Sequence, residues 1–235
     1  MGAQRAAVVT GPVDLRLGRW QDVLADVECD ALISDPPYSE RTHAGALSST
    51  GVAGVGGYAA WTDEDARAYV EHWAARVRGW IVIATDDTLG PVLRAALEAA
   101  GRYTFALVPV LQHMPRITGD GPGSPGHFLA VARPRAARWL KWGSLPCWYE
   151  APRDGSIVRG GKPLGLMRAI VRDYSRPGDL VVDTHCGGGT TALACAIEGR
   201  RCLTAEVDPV THELARARLA VGYTPDLYAG TAGAP

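Results

Sequence analysis

Short apolar runs closed by polar or glycine-rich turns alternate along this chain with segments whose apolar residues recur at helical spacing. The runs Ala31-Leu32-Ile33, Trp80–Ala84 and Leu180–Val182 are too short for buried helices and read as strands inside a sheet. The pattern predicts further strands at Ala6–Val9, Val13–Leu17, Tyr103–Leu111, His127–Ala132 and Cys202–Ala205, the first run extending to Ser34 and the last to Asp183. Helices are predicted over Trp20–Val27, from a cap at Thr62 followed by three acids to about Arg78, over Pro91–Ala100 with Gly101 ending it, and over Pro163–Asp173 and Ala192–Glu198. Ser39–Ala60 and His113–Gly126 carry no periodicity and are read as loops, and Arg135–Ile157 shows no clear element. Strands alternating with helices predict an α/β domain, a mixed and mostly parallel sheet with helices on both faces. The whole of residues 1–235 is taken as one domain.

Composition narrows the setting. The chain has 47% hydrophobic and 21% charged residues, the balance of a globular protein, and no apolar run long enough to cross a bilayer. No signal-peptide pattern is present and the five cysteines are scattered without CxxC spacing, so a reduced cytoplasmic protein with no zinc site and no membrane partner is expected. Net charge is −1, but residues 133–176 hold ten Lys/Arg against three acids. Trp139, Trp142, Trp148 and Tyr149 interleave with these cations, as a nucleic-acid contact requires and as a small satellite core would also show.

Candidate chemistry begins at Asp35-Pro36-Pro37-Tyr38, directly after the strand ending at Ser34. Neither proline can donate to a sheet ladder, so the strand stops there and both Asp35 and Pro36 are held stiffly. A carboxylate, a fixed carbonyl and an aromatic ring within four residues suit a flat base carrying an exocyclic amine. Asp35 would accept one N–H, the Pro36 carbonyl the other, and Tyr38 would stack on the ring. In the loop that follows, Arg41 and His43 are the polar groups placed to reach such a substrate.

A second motif lies far downstream. The strand Leu180–Asp183 leads into Thr184-His185-Cys186-Gly187-Gly188-Gly189-Thr190-Thr191, then a helix, then a strand ending at Glu206-Val207-Asp208. Strand, glycine loop, helix, strand and acid describe a Rossmann-type nucleoside site, with the acid 23 residues after Asp183. No GK[ST] follows the glycines, so a phosphate loop is excluded.

The two motifs together resemble the amino-group DNA methyltransferases, which methylate adenine N6 or cytosine N4 with S-adenosylmethionine. The catalytic motif precedes the cofactor loop, similar to the permuted order called the beta class, and Lys162-Pro163-Leu164 resembles that family's segment before the cofactor strand. The resemblance implies a Rossmann-like S-adenosylmethionine-dependent methyltransferase fold and direct methyl transfer to a base flipped out of duplex DNA. It implies catalysis by Asp35, Pro36, Pro37 and Tyr38. It implies cofactor contacts from Asp183, His185, Cys186, Gly187, Gly189, Thr190, Glu206 and Lys162, the last at the methionine carboxylate. Asp208 is assigned to the adenine edge of the cofactor or to capping the next helix. Arg41, His43, Trp139 and Trp142 are the substrate-side candidates, within 39–60 and 133–160 as target-recognition segments.

The family normally has Pro-Phe where this chain has Thr184-His185, so a smaller polar ring replaces the aromatic beside the cofactor. Adenine is the favoured base, because Asp-Pro-Pro-Tyr leans to adenine in this family; cytosine N4 is the alternative. RNA adenine or a protein amide as substrate, and a non-catalytic nucleic-acid-binding relic, remain as other readings. Small members of the family are often dimeric, which makes a homodimer an open expectation.

Overall fold

The computed structural model describes residues 12–42, 59–112, 120, 123–124, 126–136, 142–152 and 161–222. Nine strands form one sheet among these residues: β1 (Val13–Leu17), β2 (Ala31–Ser34), β3 (Ile81–Thr85), β4 (Arg102–Thr104), β5 (Val108–Gln112), β6 (Gly126–Pro134), β7 (Tyr149–Ala151), β8 (Leu180–Asp183) and β9 (Arg201–Glu206). Six helices accompany them: α1 (Trp20–Val23), α2 (Asp63–Ala74), α3 (Leu89–Ala99), α4 (Leu164–Tyr174), α5 (Thr190–Ile197) and α6 (Pro209–Val221). The strand order is β1-β9-β8-β2-β3-β6-β5-β7, with β4 also paired to β6. Only β6 runs against the others among the described strands.

The central strands are apolar on both sides because both sides are covered. Ala31, Ile33, Val82, Ala84, Leu129 and Val131 pack with α4 and α5 on one face. Leu32, Ile81, Ile83, Ala130 and Val182 pack with α2 and α3 on the other. Alternation along β2 and β3 thus divides their side chains between two cores. Gly126 permits the β5–β6 pairing, since a Cβ there would fall 1.9 Å from the Val110 carbonyl oxygen.

Several boundaries differ from the sequence expectation. The stretch Tyr103–Leu111 is two strands, β4 and β5, both antiparallel to β6 and interrupted at residues 105–107. A short strand, β7, lies within the segment read as having no element, and three residues are too few for a periodicity. The helix beginning after Thr62 ends at Ala74 rather than Arg78, and the one expected over Trp20–Val27 is the single turn Trp20–Val23. The third helix starts at Leu89, two residues before Pro91, because the Asp86 carboxylate receives the Thr88 and Leu89 amides. The expected strand Ala6–Val9 lies outside the described residues.

Strand order reverses direction between β8 and β2. From β8 the chain crosses through α5 to β9 on one side; from β2 it crosses through α2 to β3 on the other. The neighbouring carboxyl ends of β8 and β2 therefore open a crevice at which open α/β sheets bind ligands. Asp183 and Asp35 flank it.

Candidate active site

Four acids stand at or just beyond the carboxyl ends of four neighbouring parallel strands: Asp35 after β2, Asp86 after β3, Asp183 ending β8 and Glu206 ending β9. The strand ends place them in a row, and each then has a different environment.

Asp35 emerges into the loop after β2 with Lys162 against it. Lys162 Nζ donates to Asp35 Oδ2 at 2.5 Å and also lies 5.1 Å from the centre of the Tyr38 ring. Asp35 Oδ1 is buried and accepts no hydrogen bond among the described residues. A buried acceptor in that condition costs free energy, about 1–3 kcal/mol, unless a ligand supplies the donor. Lys162, expected on the cofactor's methionine carboxylate, thus meets the Asp35–Tyr38 motif.

Asp35, Lys162 and His127 of β6 border a small, mostly apolar cavity completed by Ile33, Val82 and Leu129. Sequence reasoning passed over His127. Burial first, and the Lys162 charge second, push its imidazole well below the usual histidine range, so it stays neutral beside Tyr38, 6.3 Å away between ring centres.

The segment after Tyr38 is tied down by Asp86, another residue the sequence reading left unassigned. Its carboxylate accepts from Ser39 N at 2.9 Å, Ser39 Oγ at 2.5 Å and Thr42 Oγ1 at 2.7 Å, besides capping α3. Burial alone would raise its pKa, but the hydrogen bonds from Leu89, Ser39 and Thr42 outweigh burial and lower it. A sequence signal existed: an acid directly after a buried strand, the same pattern as Asp35 and Asp183.

On the β8 side, Asp183 is fully buried and linked across the crevice to β2. Ser34 Oγ donates to Asp183 Oδ1 at 2.9 Å, and the His185 amide donates to the same oxygen at 3.1 Å. Burial pushes Asp183 up to about 7, opposed by hydrogen bonds from His185, Ser34 and Thr191 and reinforced by the Asp35 charge. The departure at Thr184-His185 has its own partners. Thr184 Oγ1 meets Tyr69 Oη at 2.7 Å, Ser34 Oγ at 2.9 Å and His185 Nδ1 at 2.8 Å. The His185 ring stands edge-on to Trp61 at 5.5 Å and beside Tyr69 at 6.1 Å, and burial pushes it down to about 3. His185 therefore occupies the place of the expected aromatic as a neutral ring held by a threonine.

The glycine loop is shaped for close approach. Gly187 has φ +51°, and a Cβ added there would project into open space. Gly189 has φ +76° as the cap of α5, where a Cβ would come to 3.4 Å from that of Ala215. Glu206 faces the loop and accepts from Gly187 N at 2.8 Å and Asp208 N at 3.0 Å, one on each oxygen, leaving each oxygen a further acceptor site. Arg218 of α6 clamps the loop from behind, donating to Gly188 O at 2.8 Å and Thr190 Oγ1 at 2.9 Å. The Thr190 hydroxyl thus accepts from Arg218 and keeps its own O–H to donate. Cys186 is buried, its thiol pushed up to about 12 by burial first and then by the Asp183 and Glu206 charges, so it is not a thiolate. Asp208 caps α6 by accepting from Thr211 N at 2.8 Å and Thr211 Oγ1 at 2.6 Å, the capping alternative of the two stated for it.

The substrate-side candidates divide. Arg41 is exposed, 3.5 Å from Asp87, and borders an open groove of about 510 Å³ with Trp61 and Asp63. Trp142 packs edge-on against Trp80 at 5.7 Å, under the Arg176 guanidinium at 3.5 Å. Trp80 precedes β3, whereas Asp86 follows it, so Trp142 sits at the opposite end of the sheet from Asp35, packed against the edge of the main core. Aromatic–cation interleaving has the same sequence signature in both cases. His43 and Trp139 lie outside the described residues.

Residues 152–217 match the N6/N4 methyltransferase family model, described as DNA methylase. The type II methyltransferase M.BglI of Bacillus subtilis is 26% identical over 153 residues, covering 57% of this chain and 44% of that protein. The chain is thus similar to N6/N4 DNA methylases over part of its length. It spans less than half the length of that curated relative. Solved structures share the fold. M1.HpyAVI in complex with SAM superposes with a TM-score of 0.66 at 20% identity, covering 88% of this chain and 99% of that one. The Thermus thermophilus protein TTHA0409, complexed with S-adenosyl-L-methionine, gives 0.60 at 21% identity, covering 93% and 95%. PvuII DNA methyltransferase, cytosine-N4-specific, gives 0.58 at 14% identity, covering 91% and 88%.

Proposed function

We propose that this methylase moves a methyl group from S-adenosylmethionine to the exocyclic amino group of a flipped-out base in DNA, adenine N6 foremost. The observation that carries the reading is the buried Asp35 Oδ1, an acceptor without a donor among the described residues, beside the crevice at the ends of β2 and β8. An amine N–H satisfies it. Two further features fit the cofactor: open space before Gly187, and a strand-end carboxylate, Glu206, with acceptor capacity for ribose hydroxyls. Asp183 would face the amino-acid end.

S-adenosylmethionine supplies an electrophilic methyl on sulfur. Asp35 and the Pro36 carbonyl hold the amine so that its lone pair points out of the base plane. With the glycine loop and Glu206 holding the cofactor, the amine so positioned would accept its methyl group, the C–S bonding pair would stay with sulfur, and the nitrogen would pass its proton to water. Preorganised acceptors stabilise the charge developing on nitrogen, and positioning supplies much of the remainder. Asp35 is recessed, its side chain 26% exposed, so a base stacked within a duplex must leave the stack to reach it.

Adenine is favoured by the Asp-Pro-Pro-Tyr motif. Cytosine N4 is the second reading, supported by the shared fold with a cytosine-N4-specific enzyme. The test is transfer of tritiated methyl from S-adenosylmethionine to unmethylated duplex DNA, followed by nucleoside mass spectrometry. N6-methyladenine is the expected product, N4-methylcytosine would establish the second reading, and no label in any DNA with a bound cofactor would overturn both.

A further inference from the structure

We propose that Lys162 is a positioning residue for Asp35, holding one carboxylate oxygen so that the other faces the amine. The inference rests on the methyl-transfer reading above, but its geometry is independent of the motif. The two side chains meet at 2.5 Å, with Lys162 only 14% exposed and Asp35 26% exposed. The remaining oxygen, Oδ1, is buried and without a partner among the described residues. A carboxylate turns readily about its terminal torsion, which is broad and roughly two-fold. A cation seated on Oδ2 removes that freedom and decides which oxygen is offered.

Lys162 is itself held. It precedes Pro163, whose ring disfavours helical backbone at position 162 and which is the N-cap of α4. Its ammonium lies 5.1 Å from the centre of the Tyr38 ring, within cation–π range. One cation thus contacts both side chains expected to meet the base, an acid and an aromatic three residues apart. The neutral His127 on the same cavity does not compete for Asp35.

The two roles written for Lys162 separate experimentally. A ligand of the methionine carboxylate loses cofactor affinity when removed; a positioning residue loses the transfer step. The full-length protein is compared with Lys162→Ala and Lys162→Met, measuring S-adenosylmethionine affinity by calorimetry and single-turnover transfer to duplex DNA at saturating cofactor. Lys162→Met keeps most of the stem and deletes the charge. Both variants are expected to bind cofactor within about twofold of wild type while transfer falls about 100-fold, the scale of a small misplacement of reacting groups. Ethylammonium chloride should restore part of the Lys162→Ala rate where equal potassium chloride does not.

Weakened cofactor binding with an unchanged saturated rate would overturn the proposal. So would a full rate in Lys162→Met, or a loss in Lys162→Ala that ethylammonium leaves untouched and Lys162→Met does not share, which marks packing alone. A wild-type protein that neither binds S-adenosylmethionine nor labels DNA removes the methyl-transfer reading and this inference with it. An active wild type with unaffected variants removes only the role of Lys162.

Discussion

Asp183 is an acid kept from water between two strands, and its environment makes it a pH-sensitive element of the crevice. With a folded value of about 7 against an ordinary 3.8, the protonated form is favoured by folding. Its contribution to stability is full below pH 4 and is lost as pH rises through 7, about 4 kcal/mol over that window at 1.36 kcal/mol per unit. His185 acts in the opposite sense. Its value of about 3 makes its contribution full above pH 6.5 and lost as pH falls through 3, reduced because the ring keeps some contact with solvent. We expect Asp183→Asn to gain stability relative to wild type as pH rises from 4 to 8, and His185→Phe to remove the opposing slope, both read by urea unfolding across pH. If the cofactor's ammonium faces Asp183, wild-type affinity should rise with pH through about 7 and that dependence should vanish in Asp183→Asn, measured by calorimetry. Asp86 has the other character: each hydrogen bond it accepts is made to the ionised form. Asp86→Ala should lose roughly 2–4 kcal/mol in denaturant unfolding, since it removes a helix cap and leaves buried donors of Ser39 and Leu89 unmet.

At the scale of elements, the site depends on how strands end and helices begin. The β2 strand stops at two prolines, and the loop is returned to the end of β3 by the Asp86 clamp and by Trp61 N donating to Tyr38 O at 3.0 Å. The turn after β8 is left-handed at Gly187 and Gly189, where L side chains are strained. Gly189→Ala should lower stability by about 1–2 kcal/mol through that conformation. It should also weaken cofactor binding, because an L residue strained at φ +76° shifts the loop; thermal unfolding and calorimetry measure the two effects. The start of α2 was legible because Thr62 and Asp65 close a capping box, a local device written in four consecutive residues. The start of α3 was not, since its cap comes from Asp86 and the first proline stands two residues inside the helix.

Across the whole molecule, the parallel order β9-β8-β2-β3 brings together the Asp35 loop and the glycine loop, about 150 residues apart in the chain and joined by the Ser34–Asp183 hydrogen bond. A ligand that binds there stabilises the domain through mass action. S-adenosylmethionine at 100 times its dissociation constant should add about 2.7 kcal/mol. For a chain of this size that is roughly 5–10 °C in differential scanning fluorimetry. Glu206→Ala should abolish the shift by removing the ribose acceptor, while Trp142→Ala should leave the shift intact and lower the baseline melting temperature.

The sequence by itself determined the alternation of strands and helices, the two motifs, and the acids Asp35, Asp183 and Glu206, because each is signalled by residues adjacent in the chain. A buried strand, a proline stop and a glycine turn are local physics. Partnership is not local. That Lys162 meets Asp35, that Trp142 packs on Trp80 away from the crevice, and that His185 stands among Trp61 and Tyr69 were decided by which strand lies beside which. The same arginines and tryptophans suit a nucleic-acid face or a satellite core, and only their position at one end of the sheet distinguishes the two.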